Sequence, residues 1–395
     1  MRIHDGGNRA TTASRATGGR RRAPRWARIV VAIGAVLTTG SGAALVATEV
    51  LIDRATANIA QVTLLDEGPT QRVARTIDGP INLLLVGIDV RPGWSAGARA
   101  DTILIAHIPA THDQAYLISI PRDWRVPIPT DGSGHGGGTG KINEAFGAGY
   151  QGAGTELEKR ARGFKLLSKT LKAQTGIVFN GAALIDFQGF QAVVRELGGV
   201  DMCVDQRASS IHLARDRTGK LVRVSFNERT KKVYNVPAGA RVVVHEKGCR
   251  SMPAELALDY ARIRYGLPNT DYDRQRHQQQ LIKAMVRKAT SAGVVTDLGK
   301  LDRVIKAAGR AFILDTQGVP VDDFLFTLRG VAAKDQIVLR TNRGTYNPTT
   351  INGVSYELMS AESMAMLHAV RDGTLAGYVA AHPEVRHRET AAATS

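Results

Sequence analysis

The sequence predicts an α/β domain: a central mixed β-sheet flanked by helices, in α/β/α layers, placed after one N-terminal transmembrane helix. Three observations predict it. Apolar strand-length runs alternate with helical patterns from residue 80 onward, the mark of a layered sheet. One run, INLLLVGID from Ile81 to Asp89, is apolar almost throughout, as a strand covered on both faces must be. Ile29 to Thr48 carries no charge, and about 20 such residues span a bilayer.

The expected division is a basic tail at 1–28, an anchor at 29–52, a linker at 53–79, a folded domain at 80–375 and a disordered tail at 376–395. Residues 1–28 set eight arginines against the single acid Asp5. Gly, Ser and Thr lie between them, so this part should not fold. Arginine on that side keeps the N-terminus in the cytoplasm and puts the main domain outside. Two other readings stay open. The apolar run can be a cleaved signal peptide, with Leu45–Ala47 loosely like a cleavage site, or a buried core helix. An anchor and a signal both export the domain.

A chain of 395 residues with 43% hydrophobic content can bury a sizeable core. Its formal charge of +16 and pI of about 10.1 call for an anionic partner. With aromatics at 5%, a stacking platform for single-stranded nucleic acid is disfavoured. Cys203 and Cys249 are the only cysteines. In an exported chain two cysteines pair, which stabilises by about 4 kcal/mol in the chain-entropy view. The other reading is two free buried thiols. Their spacing excludes a CxxC redox pair or a zinc site.

Three strands open the domain: Ile81–Asp89, ILIAHI and AYLISI. Their ends deliver Asp89, Arg99, Asp101 and Arg122 to loops, where sites form in open α/β sheets. Two carboxylates without His or Cys companions suit a hard cation such as Mg²⁺ or Mn²⁺. The plainer reading has Asp89 and Asp101 capping turns and pairing with Arg91 and Arg99. Gly132–Gly140 contains a G-x-G-x-x-G, but after a proline-rich loop it reads as a flexible lid and not as a dinucleotide fingerprint. Helices are expected at Thr155–Thr175, FQGFQAVVREL, Leu298–Ala311, 321–331 and Ala361–Val370. VFNGAALI and Gln336–Arg340 read as strands. Hairpins are expected near Thr218–Gly219 and Ala238–Gly239.

The most informative stretch is Arg262–Gln280. A helix at Ala254–Ala261 leads into Arg262-Ile263-Arg264-Tyr265, where extended backbone would point both arginines the same way. Gly266, Pro268 and Asn269 break the chain. Thr270 reads as the next N-cap, with Asp273 completing a capping-box variant. Four-residue spacing puts Arg274 and Gln278 on one face. A helix N-terminus among guanidinium groups is an anion site suited to phosphate. The bland alternative is a solvated, salt-bridged helix.

ALDYARIR followed by DYDRQRHQQQ resembles the LytR-CpsA-Psr (LCP) family in its actinobacterial variety. GID, ARADT, IPRD, KINEAFGAGY and Phe179–Val204 match further family elements in order, over roughly Pro80 to Lys288. The resemblance implies an LCP-type fold and a Mg²⁺- or Mn²⁺-dependent phosphotransferase. Such an enzyme moves a glycopolymer from a polyprenyl-diphosphate carrier to peptidoglycan or another wall acceptor. It implies Asp89 and Asp101 as metal ligands and Asp89, Asp101, Arg122 and Arg274 as catalytic. It also implies a diphosphate clamp of Arg99, Arg122, Arg262, Arg264, Arg274 and Gln278. Asp123, Asp271 and a metal-bound group are candidate bases. Phe146, Phe187, Phe190 and Val193 either border a lipid slot or are ordinary core. His277 stands where the family often has Arg or Lys, so a pH response near neutrality is expected, with Arg276 replacing the charge. Arg250–Pro253 departs from the family's Asp-Gly. The alternatives are a membrane-anchored binder or regulator of anionic wall polymer or lipid, and a polyprenyl-diphosphate hydrolase.

Overall fold

In the computed structural model, which describes residues 60–65, 79–90, 98–130, 136–294, 297–309, 312–317, 319 and 336–387, a short strand β1 (Ala60–Gln61) precedes β2 (Ile81–Val90). The antiparallel strands β3 (Ala98–Ile108) and β4 (Tyr116–Ser119) follow. A hairpin pairs β5 (Arg125–Ile128) with β6 (Gly138–Lys141). So part of the stretch expected as a lid is a paired strand, and residues 131–135 lie outside the described set. Next come α1 (Ile142–Tyr150), α2 (Glu156–Thr175), β7 (Gly181–Asp186) and α3 (Phe187–Glu196). Thr155 caps α2 with a full capping box through Glu158. Asp186 caps α3 by accepting from Gln188 N and Gly189 N.

The main sheet runs β1–β15–β7–β2–β3–β4–β16, where β15 is Phe312–Asp315 and β16 is Ile337–Leu339. It is mixed: β2 pairs parallel with β7 and antiparallel with β3. Alternation along β2 explains its apolar run. Leu84, Val86 and Ile88 join one core with Phe146 of α1 and Phe164 of α2. Ile81 and Leu83 join another, against Ile282 of a later helix. Each fully buried Leu or Ile here is stabilised by about 2 kcal/mol. Helices α1 and α2 approach backbone to backbone. A Cβ on Gly163 would lie 2.7 Å from the Phe146 carbonyl oxygen, and one on Gly149 2.6 Å from that of Arg162.

A smaller set of strands follows Gly198 and Gly199, both at positive φ. These are β8 (Val200–Val204), β9 (Ala208–Arg215), β10 (Leu221–Arg223), β11 (Ser225–Asn227), β12 (Lys232–Tyr234), β13 (Arg241–His245) and β14 (Gly248–Met252). Thr218–Gly219 turns the β9–β10 hairpin as expected. Ala238–Gly239 makes only a turn, because β13 leaves β12 and pairs with β9. Cys203 and Cys249 are Cα partners on β8 and β14 and form a disulfide.

Helices α4 (Ala254–Arg262) and α5 (Asp271–Ser291) pack on β8 around Tyr260. They are followed by α6 (Leu298–Ala308), the hairpin β17 (Pro348–Ile351)–β18 (Val354–Glu357), α7 (Ala361–Arg371) and α8 (Leu375–Ala381). Both expected edges of the domain move outward. Leu64 and Leu65, placed in the linker by the sequence reading, are buried, and their N–H groups donate to Asp315 Oδ2 at 2.7 and 3.1 Å. The tail expected from residue 376 instead carries α8, with Val379 and Val385 in the core. Apolar residues there find cover that local composition does not reveal. The expected tail 1–28, the anchor 29–52, Arg91, Pro92 and the 321–331 helix lie outside the described residues. Among the described residues, no helix is long and apolar enough to cross a membrane.

Candidate functional site

Asp89 lies at the end of β2, facing Arg99 across the β2–β3 ladder. The register slips between Gly87 and Ile88: Gly87 pairs with Thr102 and Ile88 with Ala100. Asp101 is the extra residue of this bulge, and a bulge re-aims its side chain. Asp89 and Asp101 line one cavity of about 240 Å³ together with Arg122, Arg262, Arg264, Arg274 and Gln278. Residues up to 189 positions apart in sequence, Asp89 to Gln278, therefore meet.

Each cation is set by a neighbour. Arg122 Nη1 donates to Asp101 Oδ1 at 2.6 Å, and its Nε lies 3.5 Å from Asp271 and 3.6 Å from Asp123. Arg274, with 6% of its side chain exposed, pairs with Asp271 Oδ1 at 2.7 Å and donates to the Asp101 carbonyl at 3.0 Å. Arg262 lies over the Phe187 ring at 4.0 Å, with Nη2 3.9 Å from Asp89 Oδ2. Arg264 donates to Glu228 and to the Tyr265 hydroxyl, both at 2.8 Å. Helix α4 runs through Arg262, one residue beyond the expected end, and the extended C-cap at Ile263 separates the two arginines, which line the same cavity.

Burial would push the Asp101 carboxyl up, but Arg122 and Arg274 outweigh it and hold it below the usual carboxylate range. Asp271 is lowered in the same way by Arg274 and Arg122. Burial pushes Arg274 down, and Arg122 and Arg264 add to this against the pull of Asp271 and Asp101. Arg274 Nε is buried without a hydrogen-bond partner among the described residues. A buried cation with a spare donor is stabilised by an arriving anion.

A second cavity, about 250 Å³ and largely apolar, shares Thr102, Phe187, Arg262 and Gln278 with the first. Leu85, Phe190, Leu281 and Met285 are among its walls. Phe187 and Phe190 thus border a slot. Phe146 is fully buried core, and Val193 does not line the slot.

Several expectations change. Arg99 is beside Asp89 in register but does not line the anion cavity. Asp123 faces Lys141 at 2.9 Å, and neither it nor Asp271 lines the cavity. Both carboxylates are occupied by cations. Thr270 sits at the N-cap position at φ 44°, but its side chain caps nothing. Asp273 instead accepts from Asn269 N at 2.8 Å. His277 is fully buried, stacked on Tyr260 with ring centroids 3.9 Å apart. Burial and the adjacent Arg276 push it down to about 3, so it stays neutral where a pH response was expected. Arg276 does not replace a charge in the cavity. It pairs with Asp205 at 2.9 Å and Asp273 at 2.6 Å.

One group was missed. His212 lines the anion cavity, and its Nδ1 lies 3.0 Å from Asp259 Oδ1. Ser210 Oγ donates to the same oxygen at 2.7 Å, and His245 Nε2 lies 2.7 Å from Oδ2. The available signal was Ser210-x-His212 on one strand face, two residues apart.

Asp89 and Asp101 provide hard oxygen donors beside the arginines, which fits a divalent cation completed by water and phosphate oxygens. Fold and site together define a mixed-sheet α/β protein with an arginine-walled anion pocket at strand ends. A match to the LytR_cpsA_psr family covers residues 49–371. LcpA of Corynebacterium glutamicum, a cell wall biosynthesis protein, is 26% identical over 65% of this chain and 48% of its own length. TagV of Bacillus subtilis, named a polyisoprenyl-teichoic acid–peptidoglycan teichoic acid transferase, is 24% identical over 58% of this chain and 48% of its own. The chain therefore spans about half the length of these relatives. The crystal structure of B. subtilis TagV superposes with a TM-score of 0.52 at 19% identity, covering 76% of this chain and 98% of that one, which shows the shared fold. The chain belongs to the LytR-CpsA-Psr family.

Proposed function

We propose that this chain is a phosphotransferase that moves a glycopolymer from a polyprenyl-diphosphate carrier to peptidoglycan or another cell-wall acceptor, forming a phosphodiester. The observation that carries this reading is a pair of cavities that share the wall residues Thr102, Phe187, Arg262 and Gln278. One is walled by arginines and carboxylates, the other is apolar, and Arg262 and Phe187 stand at their junction. A lipid diphosphate has the same two halves. The name of TagV agrees with the reaction class, and that of LcpA with work on the cell wall. We infer from the family and from the anchor expected at 29–52 that the work is done at the outer side of the cell membrane, with one N-terminal helix in the bilayer.

The residues divide the task. Arg122, Arg262, Arg264 and Arg274 hold the diphosphate oxygens and spread the charge that develops as the phosphoryl group transfers. Gln278 donates its amide at the cavity junction. Phe187, Phe190 and Leu281 receive the isoprene units next to the phosphate. Asp89 and Asp101 would hold Mg²⁺ or Mn²⁺, which when bound draws charge from the phosphate oxygens. The acceptor hydroxyl attacks the glycan-bearing phosphorus, and polyprenyl phosphate leaves.

The test incubates the chain with a polyprenyl-diphosphate glycan, a peptidoglycan fragment and Mg²⁺, with products read by mass spectrometry. A glycan–phosphate–acceptor adduct and free polyprenyl phosphate are expected. Both should fail in Asp89→Asn/Asp101→Asn, which should also lose the thermal stabilisation by Mg²⁺. Polyprenyl phosphate released without the adduct would assign hydrolysis. Donor binding without turnover would assign a binder or regulator.

A further inference from the structure

We propose that His212 is the general base of this site, oriented by the buried carboxylate of Asp259. The inference rests on the transferase reading and names the group that takes the acceptor's proton. Among the acids and histidines of the cavity wall, Asp89 and Asp101 are tied to arginines or reserved for a cation, and Glu228 pairs with Arg264 at 2.8 Å. His212 differs. It is the imidazole on that wall, and 28% of its side chain remains exposed.

Asp259 fixes its tautomer. The Asp259 side chain is 1% exposed and is surrounded by donors from three sides: His212 Nδ1 at 3.0 Å, Ser210 Oγ at 2.7 Å and His245 Nε2 at 2.7 Å. Burial would push this carboxyl up, but the hydrogen bonds from His212 and His245, the positive charge of His212 when it is protonated, and the hydrogen bond from Ser210 outweigh it and hold it ionised. An ionised carboxylate accepts, so the imidazole nitrogen facing it carries the hydrogen. That leaves the lone pair on His212 Nε2, which makes no hydrogen bond among the described residues. The arrangement is that of a base oriented by a buried acid, on a residue that lines the cavity.

The backbone holds the parts in place. Ser210 and His212 are two apart on β9 and share a face, while Asp259 and Arg262 are three apart on α4. Ser210 Oγ also accepts from His212 N at 3.0 Å and Leu213 N at 2.8 Å, which locks the strand at this point. Helix α4 thus carries Asp259, which holds the base, and, one turn on, Arg262, which stands at the phosphate.

The step balances as follows. The acceptor hydroxyl gives its proton to His212 Nε2 while its oxygen bonds to the glycan-bearing phosphorus. The bond from that phosphorus to the bridging oxygen breaks, and its electron pair leaves with polyprenyl phosphate, held by the arginines. The imidazolium, stabilised by Asp259, then returns its proton to water. His212 is the catalytic residue in this step, and Asp259 a positioning residue.

The test uses the full chain in detergent, a polyprenyl-diphosphate glycan, a peptidoglycan fragment and Mg²⁺, and measures kcat together with donor Kd. His212→Gln should lower kcat by about 100-fold or more, the range for a lost general base, with donor Kd held. His212→Ala should regain activity with added imidazole. Asp259→Asn should lower kcat, also with Kd held, because the tautomer is no longer enforced. Wild-type kcat in His212→Gln would overturn the base. A loss confined to donor Kd would also overturn it and make His212 a binding residue. No turnover by the wild-type chain would overturn the transferase reading itself, and the base with it.

Discussion

Replacing His277 by Phe should remove an acid-dependent loss of stability. His277 is fully buried on Tyr260, 3.2 Å from the Tyr260 carbonyl, and burial with Arg276 pushes its imidazole down to about 3. In the unfolded chain the same imidazole takes a proton near 6.5. The unfolded state therefore binds the extra proton first, so the stabilisation is complete above 6.5 and is lost as pH falls toward 3. Between pH 7 and pH 5 the loss from this one group is about 2 kcal/mol. His107, also buried and pushed down to about 4, adds a similar slope to both proteins and cancels in the comparison. The assay is guanidinium unfolding of wild type and His277→Phe at both pH values, followed by circular dichroism. Phe is larger than His and can cost stability at every pH, so the quantity compared is the change from pH 7 to pH 5. Wild type should lose about 2 kcal/mol more than the variant over that interval. Equal losses would refute the argument, because they would mean that His277 titrates alike in both states.

Three further outcomes are expected. Asp271→Asn leaves Arg274 and Arg122 with less compensation in a buried cluster and should cost about 3–5 kcal/mol in guanidinium unfolding. Gly87→Ala would set a Cβ 3.0 Å from Thr102 Cβ, on the wall shared by both cavities, so binding of a lipid diphosphate should weaken in a titration, with stability reduced by about 1–3 kcal/mol. Cys203→Ser/Cys249→Ser opens a link between residues 46 apart in sequence and should lower unfolding free energy by about 4 kcal/mol, read from the shift in denaturant midpoint.

Local pattern made the elements legible. The continuous apolar run Ile81–Asp89 reflects a strand covered on both faces and the 3.6-residue period in Thr155–Thr175 a helix with one buried face, and both elements form where the pattern places them. Arg262 and Arg264 were readable as convergent from their i, i+2 spacing beside a break at Gly266 and Pro268, and both line the cavity although Arg262 closes the helix. Cys203 and Cys249 were readable as a pair because an exported chain with two thiols has one disulfide to make. The edges of the domain were not legible. Leu64 is tied to Asp315, far along the chain, and Val379 joins the main core from a short helix, and no local period marks either.

By itself, then, the sequence determined the mixed α/β class, the disulfide and the six residues Asp89, Asp101, Arg122, Arg262, Arg264 and Arg274 that share a cavity. The class follows from the strand and helix patterns and the disulfide from the two cysteines of an exported chain, while the grouping of the six residues is what the family resemblance implied. Tertiary structure alone decided that Arg99 stays off the cavity wall, that His277 turns inward as a neutral ring, and that His212 meets Asp259 across 47 positions. The physical reason is direction and range. A motif gives a residue's place on its own element, whereas its protonation and its partners depend on what other elements bring within about 3 Å of it.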